Sequence, residues 1–379
     1  MTRRPDVAPA IMLAAGEASG DAHGATLCRA LADQAPGARL VGMGGPRMAQ
    51  AGMELLVDVT SAAAAGGTEA IGRVPTLLRA WRRMRAALEA RPRPDVLVLI
   101  DFPEFNLRLA RVARRAGVPV VYFVPPQIWA WRGGRVRTIR RRISLVLAAF
   151  PFEAALYRSA GVPVEFVGHP AIDALVGAPS RDDARRRFGL PERAPVVGLL
   201  PGSRYLEVER MLPAMRDAAV RIHARHADVR FVLALAPTIE RAVVERLSAG
   251  GPRIAVVADG AHAVMRAADV LLVTSGTATL EAALLGTPMV VGYRLSRLSE
   301  LMVRFLIRVP WVSLANIALG RAVVPELYQG LATGEVLARE GLRLLESPAE
   351  ADAQRTAFAE LTGALGEPGV GARAARLVL

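Results

Sequence analysis

Residues 270–293, VLLVTSGTATLEAALLGTPMVVGY, predict a strand, a polar turn, a helix and a second strand. The first four residues are an apolar run bounded by turn residues, which is typical of a buried strand. Gly286 and Pro288 end the helix, because glycine accommodates the C-terminal turn and proline cannot continue it. The helix N-terminus after Ser275 presents free amides and a partial positive charge, so it suits a phosphate group.

Glu281 follows Thr277 by four residues, so the two side chains share one face of the predicted helix. A carboxylate placed there can accept two hydrogen bonds from the diol of a ribose. The same spacing is also typical of an ordinary α/β turn that carries a solvated glutamate. This stretch alone therefore leaves a nucleotide-binding turn and a purely structural turn open.

Two further glycine-containing turns follow predicted strands. In residues 201–204 the glycine allows close backbone approach, and the guanidinium of Arg204 suits a pyrophosphate. Residues 16–21 carry the carboxylates of Glu17 and Asp21. This second turn is not a GxGxxG sequence, which argues against a dinucleotide cofactor.

Asp101 follows the apolar strand predicted at residues 95–100. Ligands of open α/β sheets collect at the carboxyl ends of strands, which favours a role for Asp101 in a site. Phe102 and Phe105 flank the carboxylate, so they can exclude water and raise its basicity. Asp101 is therefore the candidate general base, and an N-cap aspartate is the structural alternative.

Strands and helices alternate through both halves of the 379-residue chain, which predicts an α/β fold with two domains. The segment 171–195 is rich in proline, glycine and charged residues, and we interpret it as the interdomain linker. Residues 310–316 and 324–329 are irregular and contain uncommon residues, as loops over a site often do.

The charge balance predicts an anionic partner. Lys and Arg total 48 and Asp and Glu 35, which gives a formal net charge of +13. Such a charge attracts nucleic acid, acidic lipid or phosphorylated substrates. The arginines cluster on two predicted helices beside apolar residues, and aromatic residues make up only 5% of the chain. This pattern disfavours a nucleic-acid-binding protein, in which arginines and aromatics interleave along the phosphates.

Cys28 is the only cysteine, which excludes an intrachain disulfide and a cysteine-based metal site and fits a reducing compartment. No stretch reaches the roughly 18 uninterrupted apolar residues that a membrane-spanning helix needs. Residues 72–91 place Leu77, Leu78 and Trp81 among arginines at near-helical spacing. This segment is either a surface helix packed on the sheet or a basic helix lying in a lipid interface.

Six turns, in order and spanning nearly the whole chain, resemble those of the lipid-A-disaccharide synthase family. No single turn is specific for this family, whereas six turns in the family's order are a specific match. The sequence departs from the family before the paired tryptophans, where Pro126 and Gln127 replace a stretch that often holds serine. The turns are 15–21 (AGEASGD), 100–106 (IDFPEFN), 129–132 (WAWR), 200–204 (LPGSR), 274–281 (TSGTATLE) and 326–329 (ELYQ).

The resemblance implies a GT-B glycosyltransferase with two Rossmann-like domains facing across a cleft. Residues 1–172 would form the acceptor and membrane-side domain, 173–345 the UDP-sugar-binding domain, and 346–379 would pack back on the first. The family transfers 2,3-diacylglucosamine from UDP to 2,3-diacylglucosamine 1-phosphate (lipid X) with inversion. The products are the β-1,6-linked lipid A disaccharide 1-phosphate and UDP, formed at the cytoplasmic face of the inner membrane by a peripheral enzyme.

The same resemblance assigns residues to roles. Asp101 would be the base, with Asp21 and Glu17 as further catalytic candidates, and no metal or other cofactor is expected. Because both substrates carry acyl chains, the 72–91 segment then favours docking on the anionic membrane. The UDP-sugar contacts would be Gly202, Ser203, Arg204, Ser275, Gly276, Thr277, Glu281, Tyr293, Asn316, Glu326 and Gln329; the acceptor contacts Ser19, Asn106, Trp129 and Arg132; and the membrane-docking residues Leu77, Leu78 and Trp81.

A second enzyme class stays open: another GT-B enzyme on UDP-N-acetylglucosamine-type donors, such as a 2-epimerase or a polyprenyl-linked glycosyltransferase. An assay that compares two acylated substrates with two non-acylated substrates separates this alternative from the family's reaction. A titration with salt against single-stranded DNA tests the nucleic-acid alternative, which only the charge suggests. The oligomeric state is left open.

Overall fold

The computed structural model describes residues 8–59, 74–128, 134–295 and 310–379. Contacts between Cα atoms divide the chain into two compact units. Unit 1 comprises Met1–Ala174 and Leu365–Leu379, and unit 2 comprises Leu175–Ala364. Each unit contains one parallel sheet with helices packed on it, so the predicted α/β fold class is confirmed.

Unit 1 contains, within the described residues, a seven-stranded sheet in the order β3-β2-β1-β4-β5-β6-β7. All neighbouring strands run parallel. The central strand VLVLI is apolar at every position because helices cover both faces of a parallel sheet. The strands are β1 (Ala10–Ala15), β2 (Arg39–Gly44), β3 (Glu54–Asp58), β4 (Val96–Ile100), β5 (Val120–Phe123), β6 (Leu145–Ala148) and β7 (Val164–Phe166).

The helices of unit 1 follow its strands in the right order for parallel crossovers. Four of them, α3, α4, α5 and α6, contribute buried residues to one core cluster on the same sheet. The helices are α1 (Ala18–Gln34), α2 (Pro46–Gln50), α3 (Val74–Glu89), α4 (Pro103–Arg115), α5 (Arg135–Arg142), α6 (Pro151–Ser159) and α7 (Ala171–Ala174).

Unit 2 contains, in its described part, a six-stranded sheet in the order β10-β9-β8-β11-β12-β13. Its neighbouring strands also run parallel. The strand predicted at the start of 270–293 is β11, and all five of its residues are buried. The strands are β8 (Val196–Leu200), β9 (Arg230–Leu235), β10 (Ile254–Ala258), β11 (Val270–Thr274), β12 (Met289–Tyr293) and β13 (Glu326–Tyr328).

Unit 2 begins inside the segment interpreted as a linker. Arg185 of that segment is buried and pairs with Asp269 at 2.7 Å, which anchors α8 to unit 2. The helices of this unit are α8 (Arg181–Arg187), α9 (Tyr205–Arg225), α10 (Arg241–Ser248), α11 (Ala261–Ala267), α12 (Thr277–Leu284), α13 (Leu314–Leu319), α14 (Gly334–Glu346) and α15 (Pro348–Leu365).

The last helix, α16 (Val370–Val378), packs on α1 in unit 1. The carboxylate of Asp173 accepts hydrogen bonds from the backbone N–H groups of Gly369, Val370 and Gly371 at 2.7, 3.0 and 2.8 Å. An acidic side chain at a helix N-terminus satisfies amides that lack partners in the helix. Among the described helices, none combines the length and apolarity needed to cross a membrane.

Strand order reverses once in each sheet, between β1 and β4 in unit 1 and between β8 and β11 in unit 2. Ligands of open parallel sheets bind outside the carboxyl ends of strands at such a reversal. The turns after these four strands are 16–21, 101–106, 201–204 and 275–277. They contain most of the residues that the sequence singles out.

Candidate active site

The turns after β1 and β4 meet at the reversal of strand order in unit 1. Asp101 and Phe102 have φ angles of +47° and +48°, in the left-handed region that non-glycine residues rarely adopt. Val124, at the end of the neighbouring β5, has a φ of +52°. Strain of this kind costs about 1–3 kcal/mol per residue and collects at functional sites. It therefore supports the assignment of Asp101 to a site.

Asn106 and Tyr122 hold this strained turn in place. The Tyr122 hydroxyl and the Asn106 Nδ2 group each donate to the carbonyl oxygen of Asp101 at 2.7 Å. Asn106 Nδ2 also lies 3.2 Å from the carbonyl oxygens of Ala14 and Ile100. Burial, and next the Asp101 charge, raise the pKa of Tyr122 well above its usual value, so Tyr122 stays a neutral donor. The Asn106 amide is thus used within the fold, and its contact with an acceptor stays a prediction.

Phe102 packs directly over the backbone of Gly16. A Cβ added to Gly16 would lie 2.2 Å from Cδ1 of Phe102, so only glycine leaves room for the ring. The ring stacks on Phe105 at 5.8 Å between centroids, and Phe105 meets Trp81 edge-on at 5.8 Å. This aromatic row connects the turn that carries Asp101 to both the 16–21 turn and α3.

The other predicted carboxylates of unit 1 differ in their surroundings. Asp21 is buried, and its carboxylate accepts hydrogen bonds from the N–H groups of Gly45, Arg47 and Met48 at 2.9, 3.1 and 3.0 Å. Asp21 therefore caps the start of α2, and its catalytic role stays a prediction. Glu17 is the half-buried N-cap residue of α1 and makes no side-chain cap bond.

The predicted acceptor contacts are only partly described. Ser19 is half-buried in the first turn of α1, beside the residues of the 16–21 turn. Trp129 and Arg132 lie outside the described residues. Among the residues that the structure describes, no group of three or more His, Cys, Asp or Glu side chains is arranged to hold a metal ion.

In unit 2, the turn after β8 contains an internal carboxylate. Glu207 accepts hydrogen bonds from the N–H groups of Ser203 and Arg204 at 3.2 and 3.3 Å, and from the Arg204 guanidinium at 3.3 Å. Gly202 has a φ of +120°, and a Cβ there would lie 2.6 Å from Oε2 of Glu207. The turn thus collects the donors that an anion needs, and an anion that binds them competes with Glu207.

The turn after β11 adjoins this one in the sheet. Gly276 is exposed at the start of α12, Thr277 is half-buried, and the Ser275 hydroxyl donates to the carbonyl oxygen of Val312 at 2.7 Å. Glu281 lies one helical turn further, and its ribose contact stays a prediction. Its Oε2 lies 3.2 Å from Nε2 of His262.

Glu326 and Asn316 make hydrogen bonds within the loop that starts at residue 310. The Glu326 carboxylate accepts hydrogen bonds from the N–H groups of Val312 and Ser313 at 2.8 and 3.0 Å, and from Asn316 Nδ2 at 2.8 Å. Asn316 is fully buried, and its Oδ1 accepts from the N–H of Val324 at 2.9 Å. These groups shape the loop, and their direct contact with a donor stays a prediction.

Tyr293 and Gln329 lie at the carboxyl ends of β12 and β13. Burial, and next the charge of Glu207, raise the pKa of Tyr293, so its hydroxyl is a neutral donor. The rings of Tyr293 and Tyr328 are 6.5 Å apart between centroids. Gln329 has a φ of +52°, and its Oε1 accepts from the N–H of Leu295 at 2.8 Å. Tyr293 therefore faces the same region as the 202–204 turn.

The three predicted membrane-docking residues divide between the two sides of α3. Leu78 is 50% exposed, and Val74, which begins the helix, is 49% exposed. Leu77 and Trp81 are half-buried and pack against the core of unit 1. Leu77 and Trp81 thus pack as a surface helix on the sheet does, whereas contact of this helix with a lipid interface stays a prediction.

Comparison with known proteins gives the family. The family model described as lipid-A-disaccharide synthetase matches residues 11–368. The lipid-A-disaccharide synthase of Geobacter sulfurreducens is 43% identical over 370 residues, which cover 97% of this chain and 96% of that protein. The chain belongs to the lipid-A-disaccharide synthase family. The enzyme of that name from Myxococcus xanthus is also 43% identical, over 98% of this chain and 97% of the relative. Membership makes the chain a glycosyltransferase of lipid A biosynthesis, as the resemblance implies.

Solved structures share the fold at low sequence identity. S. aureus MnaA, solved with UDP, has a TM-score of 0.67 and 13% identity, covering 97% of this chain and 94% of that one. The calicheamicin glycosyltransferase CalG4 has a TM-score of 0.61 and 17% identity, covering 98% and 97%. These likenesses support the GT-B fold that the sequence predicts for this chain.

Sequence reasoning missed two side chains that contact candidate site residues of this member of the lipid-A-disaccharide synthase family. Glu207 could have been found, because it follows Arg204 at the spacing of a capping box. His262 had no such signal, because its partner Glu281 is 19 residues away on another helix. The contact between His262 and Glu281 depends on how α11 and α12 pack.

Proposed function

We propose that the chain transfers 2,3-diacylglucosamine from its UDP conjugate to the 6-hydroxyl of 2,3-diacylglucosamine 1-phosphate. The acceptor oxygen attacks C1 of the donor sugar while the bond from C1 to the diphosphate oxygen breaks. The hydroxyl proton passes to a carboxylate, UDP leaves, and the new linkage is β-1,6. Family membership over residues 11–368 is the observation that carries this proposal.

Asp101 is the proposed general base, in an acceptor domain that corresponds to unit 1. A base must be held where the hydroxyl arrives, and the Asp101 backbone is held by two side-chain donors at 2.7 Å. Strain at Asp101 and Phe102 supports the same assignment, because such conformations persist only where surrounding contacts enforce them. Ser19, Trp129 and Arg132 remain the proposed acceptor contacts.

The turns after β8 and β11 are the proposed donor site, in a UDP-sugar domain that corresponds to unit 2. As the bond to C1 breaks, negative charge develops on the diphosphate. Backbone N–H groups at 202–204 and at Gly276 and Thr277, together with the Arg204 guanidinium, can stabilise it without a metal ion. Glu281 binds the ribose diol. Tyr293 contributes a neutral hydroxyl to this region.

A peripheral position on the anionic inner-membrane surface completes the proposal. The solvent side of α3, α4 and α5 supports it, because these neighbouring helices carry a dense group of arginines. Partial burial, and next the charges of Arg111, Arg115 and Arg141, lower the pKa of Arg142. Such a surface attracts anionic lipid, and the exposed apolar residues of α3 can enter the interface.

Product analysis by mass spectrometry, with UDP release followed in parallel, tests the reaction. With both acylated substrates we expect one disaccharide monophosphate for each UDP released. With non-acylated UDP-N-acetylglucosamine and no acylated acceptor we expect no turnover. An epimerised sugar nucleotide, or transfer to a polyprenyl phosphate, would contradict the proposal and favour the alternative enzyme class.

A further inference from the structure

A histidine contacts the carboxylate proposed to bind the ribose. Nε2 of His262, near the start of α11, lies 3.2 Å from Oε2 of Glu281 on α12. The two side chains are 31% and 21% exposed, so the contact is shielded on one side and borders solvent on the other. Asp259, in the turn that leads into α11, has a φ of +49°. The backbone three residues before His262 therefore has an uncommon conformation.

The contact uses only one of the two carboxylate oxygens of Glu281. Oε2 lies within hydrogen-bond distance of the His262 ring, whereas no described residue donates a hydrogen bond to Oε1. A glutamate carboxylate has three side-chain torsions, and each ordered torsion lowers its entropy. A donor on Oε2 restricts those torsions before any ligand arrives. It leaves Oε1 to accept from a ligand.

We infer that His262 is a positioning residue for the donor ribose, holding the Glu281 carboxylate in the orientation that accepts the ribose hydroxyls. The inference rests on the proposed function, because the ribose contact of Glu281 is part of that proposal. The His262 Nε2–H donates to Oε2, and the ribose hydroxyls donate to the same carboxylate. His262 touches neither the ribose nor the reacting atoms.

Packing between α11 and α12 does not depend on His262. The Arg266 guanidinium donates to the carbonyl oxygen of Leu285 at 3.0 Å. The hydroxyl of buried Thr287 donates to the carbonyl oxygen of Met265 at 2.9 Å. Both contacts join α11 to the turn that directly follows α12, and neither uses the Glu281 side chain. Removal of the His262 ring therefore leaves the helix pair docked, and Thr287→Val provides a control that loosens this docking without touching Glu281.

Calorimetry with UDP and 2′,3′-dideoxy-UDP tests the inference. The Kd of 2′,3′-dideoxy-UDP divided by the Kd of UDP measures how well the site recognises the ribose hydroxyls. We expect His262→Ala to lower this ratio roughly fivefold to tenfold, because an unrestrained carboxylate must be ordered when the ligand binds. His262→Gln should restore most of the ratio, because its side-chain amide also offers an N–H. Thr287→Val should lower Tm and keep the ratio.

A double-mutant cycle separates positioning from a general effect on the fold. In a Glu281→Ala background, His262→Ala should change neither Kd further. An unchanged ratio in His262→Ala, an equal loss for both nucleotides, or additive losses in the cycle would overturn the inference. A wild-type protein that binds UDP without preferring the ribose, or that fails to bind UDP, would instead overturn the proposed donor site, and the inference with it.

Discussion

Polar side chains at and near the strand ends differ in how far a ligand can reach them. Asp21, Asn106 and Asn316 are buried and make several hydrogen bonds to main-chain groups at 2.7–3.2 Å. Asp101 and Arg204 are instead partly exposed. Loss of a residue in the first group leaves buried partners unsatisfied, whereas loss of one in the second should act mainly on substrate.

Replacement of Asp101 by asparagine should lower turnover about 10²–10⁴-fold, the usual contribution of a general base. Asparagine tolerates the left-handed backbone better than alanine does, so the strained turn should survive. Steady-state kinetics measures the loss, and calorimetry with UDP should give a Kd close to that of the wild type. Turnover near the wild-type rate would remove Asp101 as the base.

Replacement of Arg204 by alanine should weaken UDP binding by about 1.5–3 kcal/mol, the usual worth of a hydrogen bond to a charged group. Arg221→Ala is the matched control, because Arg221 lies on the same helix in an exposed pair with Asp217 at 3.4 Å. Exposed pairs contribute little, so the control should bind UDP normally. Calorimetry compares the two variants. Equal affinities would reject the role of Arg204.

At the scale of helices and turns, the 16–21 turn and the 101–106 turn pack directly against each other. The Phe102 ring fills the space that a side chain on Gly16 would need, and the aromatic row continues to Trp81 on α3. A change in one turn is therefore transmitted to the backbone that carries Asp101. This coupling comes from packing density, since close-packed interiors cannot absorb an additional methyl group without a shift.

Gly16→Ala should therefore displace Phe102 and lower the free energy of unfolding by about 1–3 kcal/mol. Turnover should fall with it, because the Asp101 backbone is attached to Phe102. The double variant Gly16→Ala with Phe102→Ala should cost less than the sum of the single changes.

Chemical denaturation and kinetics measure both effects. Gly363→Ala is the control, because a Cβ there meets no other atom within 4 Å. Strict additivity in the double variant would contradict the direct contact between the two turns.

At the scale of the whole molecule, the positive charge on three neighbouring helices of unit 1 is the proposed source of attraction to an anionic lipid surface. The solvent side of α3, α4 and α5 carries arginines from all three helices. Exposed Val74 and Leu78 lie on the first of them. Attraction between such a surface and anionic lipid weakens as salt increases, whereas insertion of apolar side chains does not.

Replacing Val74 and Leu78 together by serine should release the protein from anionic vesicles, and raised salt should release the wild type as well. These two residues are better targets than Leu77 and Trp81, whose replacement also disturbs the core of unit 1. Val176→Ser is the control, because Val176 is 65% exposed in unit 2. Cosedimentation measures binding. If the double variant still sediments with the vesicles, the docking surface lies elsewhere.

The amino-acid sequence by itself determined the alternation of strands and helices, the turns at the strand ends and the family. These features depend on neighbouring residues: a short apolar run bounded by turn residues favours a buried strand, and glycine or proline ends a helix locally. The positions of Asp101 and Arg204 at strand ends, and of Glu281 in the helix after β11, followed from that local pattern.

Only the tertiary structure decided which polar groups the fold itself uses. Asp21 is bound by amides 24 to 27 residues away, and Glu281 meets His262 across two helices. The left-handed backbone at Asp101 likewise depends on Tyr122, which comes from another strand. Hydrogen-bond partners of this kind are distant in sequence and come together only when the parallel sheet brings its strand ends to one edge.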